Sequence, residues 1–194
     1  MCESSSSSEL IPTQTMVLRC QKKLASKFSS KYLVKFLMNE PANRIFDNVH
    51  RLLFHYTNSR QLANKQMKDM IKLNIKITLL FINDVFSDEE IEKSNDFRDV
   101  FFKICELIIK SRRCRNHSVL IDLLLENLMK AKSILLLLVH RHLTDKSKCK
   151  IINCAEFLVT REFLTKSLSI DEPFKTIMDR ICFDLQDIMD RGLL

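Results

Sequence analysis

Glycine is almost absent from this 194-residue chain, where Gly192 is the sole example. A Walker loop, a dinucleotide-binding turn and a Gly-x-Ser-x-Gly nucleophile elbow each need glycine where the backbone closes on a phosphate or turns sharply, so all three are excluded. Hairpin turns also draw on glycine for positive φ, which argues against a β-sandwich or barrel. Proline is scarce too, with Pro12, Pro41 and Pro173. Long uncharged runs are missing. The longest in the apolar segments are about seven residues, such as Ser133 to Val139, far short of the roughly 20 that a bilayer crossing requires.

Acidic groups are missing from one stretch. Between Leu10 and Asn39 there is none, while Arg19, Lys22, Lys23, Lys27, Lys31 and Lys35 supply six positive charges. Residues 40–194 hold 25 basic and 22 acidic groups, so most of the net charge of +7 sits in this N-terminal arm. Its partner is nucleic acid, a phosphoinositide or other anionic membrane surface, or an acidic protein. No secretory signal is expected: residues 1–9, with five consecutive serines, lack the charged and apolar regions such a leader needs. Seven cysteines, an odd number, then read as free thiols of a reducing, cytoplasmic setting.

What is present is helical periodicity. Apolar residues make up 46% of the chain against 28% charged, enough for a core in one domain. The pattern predicts a flexible Ser-rich tail over 1–14 and a single helical domain over 15–194. Its helices run over about 15–38 (bent near Ser29 and Ser30), 41–57, 60–83, 88–112, 117–142, 145–166 and 170–191. Pro41 suits a first helical turn, Ser87 with Glu90 forms a capping box, Thr144 is an N-cap, and Ser169 with Glu172 and Pro173 opens the last helix. Short connections between long helices imply an antiparallel bundle.

Three faces stand out. In the segment 117–142, Asp122, Glu126 and Lys130 form one narrow polar stripe, with Leu120, Leu124, Leu128, Ala131, Leu135 and Leu138 opposite and apolar flanks between. Such a helix is expected to be enclosed on nearly every side, either as a central core helix or as the lining of an apolar cavity for a lipid chain. In the segment 60–83, Lys65, Lys68, Lys72 and Lys76 share one ridge, opposite Met67, Met70, Asn74, Ile77 and Phe81; as a bare pattern this is a solvated face. In the first helix Arg19, Lys23, Lys27, Lys31 and Lys35 recur every four residues beside Val17, Gln21, Leu24 and Phe28, the make-up of a helix that lies at an anionic membrane.

Chemistry is harder to find. His140 and His142 are spaced i, i+2, which points them some 200° apart on a helix, so they cannot share a zinc ion with Cys149 and Cys154 unless the helix has already ended. The expected role of these imidazoles is at a helix C-terminus. Lys110, Arg112, Arg113 and Arg115 form a basic turn. No cysteine or serine has a His and an acid at a telling spacing, so neither an enzyme nor a cofactor is expected. No nucleic-acid-binding element is recognisable either.

Particular strings add what periodicity cannot. Gln21-Lys22-Lys23-Leu24 with Lys27 and Phe28, then Arg51 with Tyr56 and Thr57, then Met70-Ile71-Lys72 with Lys76, and above all Arg141-His142-Leu143-Thr144-Asp145-Lys146-Ser147 followed by Glu162-Phe163-Leu164, resemble the tumour necrosis factor alpha-induced protein 8 family, also called the TIPE family. The likeness runs in order from about Val17 to the C-terminus. It implies an all-α antiparallel bundle of six to seven helices, the TIPE homology domain, around a central apolar cavity. It also implies a phosphoinositide-binding or lipid transfer protein that regulates apoptosis or immune signalling, cytoplasmic with transient plasma-membrane association. On the resemblance Lys22, Lys23, Lys27 and Arg98 bind the headgroup, and Leu24, Phe28, Phe101, Leu120, Leu124, Leu128 and Leu135 line the cavity. A second mouth arginine of the family is Ile82 here, and a Ser-His-Gly-Arg stretch common in relatives reads Ser147-Lys148-Cys149-Lys150. The competing reading is a helical adaptor with a solid core that binds signalling proteins and no lipid.

Overall fold

The computed structural model describes residues 40–83, 85–113 and 117–192. The serine-rich tail and the basic helix expected over 15–38 lie outside these residues. Among the described residues the chain forms seven helices and no strand: α1 (Glu40–Thr57), α2 (Arg60–Ile82), α3 (Asp88–Arg113), α4 (His117–Leu138), α5 (Asp145–Leu158), α6 (Arg161–Ser167) and α7 (Phe174–Asp190). The all-α bundle read from the sequence is what the structure shows.

Local chemistry sets most boundaries. Asn58 takes a positive φ of 48° between α1 and α2, and Ser59 then caps α2 by accepting the Leu62 N–H at 3.3 Å. At α3 the Ser87 N–H donates to Glu90 Oε2 at 2.9 Å, the carboxylate half of the expected capping box. Three boundaries differ from the sequence reading. Helix α4 ends at Leu138 and not near 142, because a tight turn with His140 N–H on the Leu137 carbonyl carries Arg141 and His142 to Glu90 at the start of α3. The expected helix over 145–166 is broken at Val159 and Thr160. There Thr160 Oγ1 accepts the Phe163 N–H at 3.1 Å and starts α6 anew. Helix α7 begins at Phe174 and not at 170, because Pro173 disfavours helical geometry at Glu172. Ser169 accordingly accepts from the Asp171 N–H in the loop and caps no helix.

The helices pack as neighbours in antiparallel pairs. Helix α2 and helix α5 are joined by Lys76 to Ser147, Asp69 to Lys150 and Gln66 to Cys154, contacts whose numbers fall on one helix as they rise on the other. Helices α3 and α4 form the most extensive pair, followed by α1 and α7. Burial divides into two clusters. The larger unites Leu53, Met67, Ile75, Ile104, Leu124, Phe163, Phe174 and Ile181. The smaller, at one end, holds Leu73, Phe86, Leu138, Val139, Ile151 and Cys154.

Enclosure of the most apolar helix is incomplete. Asp122, Glu126 and Lys130 of α4 are exposed as expected, but Val119 is 61% and Leu137 62% exposed, with Leu123 and Met129 exposed beside them. A polar stripe needs water along its length, and at 100° per residue its apolar flanks fall within the same open arc.

Candidate functional site

The residues singled out on α3 and α4 meet the core to different depths. Leu124 is fully buried, and Leu120 and Leu128, one turn to either side, are half-buried against the same main cluster. Leu135 packs instead against the smaller cluster. They form one apolar line along the inner flank of α4. On α3 Phe97 packs against the main cluster and stacks on Phe101 with ring centroids 6.1 Å apart. Phe101 itself is 37% exposed, so the aromatic pair runs from the core to the surface. Arg98 lies between them in sequence, 58% exposed at its side chain, with Asp99 at 3.9 Å as an ion-pair neighbour. Lys22, Lys23, Leu24, Lys27 and Phe28 lie outside the described residues, and the side chain of Ile82 is likewise not described.

A second constellation escaped the sequence reading as a unit. Glu90 is buried at the start of α3. Its carboxylate accepts the Ser87 N–H, Arg141 Nε at 3.1 Å and His142 Nε2 at 3.1 Å from each oxygen. The His142 ring also stands edge-on to Phe86 at 5.1 Å. The Ser87 backbone bond first, then the His142 and Arg141 donors, hold the Glu90 carboxyl down to about 2, against the penalty of burial. The imidazole therefore binds a carboxylate and not, as expected from sequence, its own helix terminus. Next to it Lys76 Nζ donates to Ser147 Oγ at 2.6 Å, and Ser147 Oγ lies 3.2 Å from Thr144 Oγ1. Four residues of the Arg141 to Ser147 string, Arg141, His142, Thr144 and Ser147, thus tie α2, α3 and α5 to one turn. The signals available in sequence were the Ser87 to Glu90 box and the string itself; nothing local joined them.

Two members of the basic turn are engaged within the bundle, while Arg115 and the side chain of Arg113 lie outside the described residues. Arg112, 11% exposed, bonds Asp179 of α7 at 2.7 Å, and Lys110 pairs with Glu106 one turn back. Elsewhere Arg44 Nε donates to the buried Asp184 at 2.7 Å, beside an open cleft of about 510 Å³ between α1 and α7. Burial pushes the Cys105 thiol up to about 12 and the Cys154 thiol to about 11, whereas Cys149 is exposed. Among the described residues no group of three His, Cys, Asp or Glu side chains could hold a metal ion, and no helix is long and apolar enough to cross a membrane.

Comparison with known proteins gives a consistent answer. A family model described as tumor necrosis factor alpha-induced protein 8-like matches residues 11–192. The chain is 29% identical over 189 residues to tumor necrosis factor, alpha-induced protein 8-like protein 2 B of Danio rerio, covering 96% of this chain and all of the relative. It is 29% identical to the 8-like protein 3 of Xenopus laevis, over 96% of this chain and 92% of that one. The protein salivary glands marred of Drosophila melanogaster is 30% identical over 175 residues, 90% of this chain and 93% of its own.

Proposed function

Because this chain belongs to the tumor necrosis factor alpha-induced protein 8 family, we propose that it regulates apoptosis or immune signalling by binding and transferring a phosphoinositide. The observation that carries this reading is the Phe97 and Phe101 stack beside Arg98, an apolar path that reaches the surface next to a cation held only at 3.9 Å by its neighbour. An amphiphile needs that pairing. Its acyl chains would lie in a cavity lined by Leu24, Phe28, Phe101, Leu120, Leu124, Leu128 and Leu135. Its phosphates would meet Lys22, Lys23, Lys27 and Arg98 through charge-assisted hydrogen bonds, each worth about 1.5–3 kcal/mol. The basic N-terminal segment would rest on the anionic leaflet, where each cation adds about 1 kcal/mol. This makes the protein a peripheral visitor of the plasma membrane from the cytoplasm, and a carrier without a catalytic step.

Native mass spectrometry of the purified protein with lipid extraction tests the reading. A phospholipid of defined stoichiometry supports it. An empty protein that also ignores phosphoinositide vesicles overturns it in favour of the helical adaptor, whose core is solid and whose basic segment docks on acidic signalling proteins.

A further inference from the structure

Among the described residues the charges of α2 and α5 do not cancel: α2 carries Arg60 and four lysines against Asp69, and α5 carries three lysines against Asp145 and Glu156. On α2, Lys65, Lys68, Lys72 and Lys76 are all exposed. Steps of three, four and four residues keep them within an arc of about 80° along about 16 Å of helix. Like charges at such spacing repel and weaken the helix that carries them. The only carboxylate of α2, Asp69, is already engaged by Lys150 across the helix pair. Lys146 lies one turn before Lys150 on the same flank of α5. Asp145, in the first turn of α5, is held at 2.8 Å by Lys148. Six lysines therefore share Asp69 on one face. Four arginines behave differently: Arg44, Arg112, Arg141 and Arg161 each bind a carboxylate of a different element.

We infer that this α2–α5 face is a contact surface for an anionic bilayer, separate from the N-terminal segment and from Arg98. The inference rests on the lipid-handling reading above and adds to it how the bundle lies on the membrane, with α2 along the surface. The make-up of the face selects this occupant. A specific protein interface needs an apolar centre, and Leu62 is the one exposed large apolar side chain on the ridge side of α2 among the described residues, at the end of the row. Nucleic-acid readers present arginine, asparagine or aromatic rings to bases, and this row holds none. Lysine is a mobile, well-hydrated point charge that needs no fixed partner geometry, which suits the diffuse negative plane of phosphatidylserine-rich headgroups. Two weak attachments, the ridge and the N-terminal segment, would then act together, as reversible membrane association generally requires.

The test uses the full chain with phosphatidylcholine vesicles, with and without phosphatidylserine, at low salt. The triple variant Lys65→Gln, Lys68→Gln, Lys72→Gln leaves the Lys76–Ser147 and Lys150–Asp69 contacts in place. It should partition onto the phosphatidylserine vesicles on the order of 100-fold more weakly than wild type. The matching Lys→Arg triple should bind like wild type, and added salt should release both. A glutamine triple that binds as wild type overturns the ridge. If lipid still co-purifies and Lys22→Gln with Lys23→Gln weakens vesicle binding, the proposed function survives that failure. Failure of wild type to bind phosphatidylserine vesicles also overturns the ridge, and if no lipid co-purifies either, both readings fall. Binding through the three lysines to duplex RNA or to an acidic peptide, with none to vesicles, overturns the bilayer as the occupant.

Discussion

His142 Nε2 lies 3.1 Å from both carboxylate oxygens of Glu90, a contact between residues 52 positions apart that fastens the first turn of α3 to the turn behind α4. Arg141 Nη2 reaches the same carboxylate at 2.9 Å. The buried acid is thus surrounded by donors from two elements, and removing it would leave an imidazole and a guanidinium facing each other.

That arrangement sets a pH dependence. The Glu90 carboxyl is held at about 2 against 4.5 for an ordinary glutamate. A depressed native value means the stabilisation is complete above about 4.5 and disappears as pH falls towards 2. Urea midpoints measured across that window should fall for wild type and fall less for Glu90→Gln. The variant should also melt lower by about 5 °C or more at neutral pH. Parallel curves for the two proteins would show that Glu90 carries no such linkage.

Thiol reactivity should divide by burial. Cys105 and Cys154 are buried, with thiols pushed up to about 12 and about 11, so the nucleophilic thiolate is rare in the native state. Alkylation followed by peptide mapping should label the exposed Cys149 in the folded protein and the two buried thiols only after denaturation.

Core and surface leucines of α4 should part company. Leu124→Ala removes a side chain 2% exposed and should cost about 2–5 kcal/mol in chemical denaturation. Leu137→Ala, on the open face of the same helix, should stay within about 0.5 kcal/mol. Similar losses at both positions would mean that α4 is more enclosed than its exposed flank indicates.

Arg98→Gln should weaken binding to phosphoinositide vesicles about 10-fold, the loss of one charge-assisted bond, with an unchanged melting temperature. Equal vesicle affinity for the two proteins would remove Arg98 from the proposed headgroup contacts.

The parts of this fold that sequence made legible are those decided within a turn or two of chain. Ser87 with Glu90 announced α3, and the period of Leu120, Leu124 and Leu128 identified the inward flank of α4. The break at Thr160 was equally local: a β-branched capping residue followed by Glu162 marks a helix start, but the apolar period running across it was the stronger signal. Pro173 acted on the residue before it and so delayed α7. The exposure of Val119 and Leu137 had no local signature, because a period tells which side of a helix faces inwards and not how many neighbours surround it. The same limit applies to the candidate site. Arg98 and Phe101 entered through the family resemblance, whereas the partners of Glu90, Lys76 and Asp69 come from distant segments that only the packed bundle brings together.

The junction built by Glu90, His142, Thr144, Ser147 and Lys76 occupies the string by which this chain is most readily recognised, yet it includes none of the residues proposed to hold the phosphoinositide headgroup or its acyl chains. Its side chains face one another. On the proposed function, the residues that tie these helices together and those that choose the bound lipid are separate sets. Ile82 in place of a mouth arginine would then alter the fit of the headgroup and leave the contacts that build the bundle as they are.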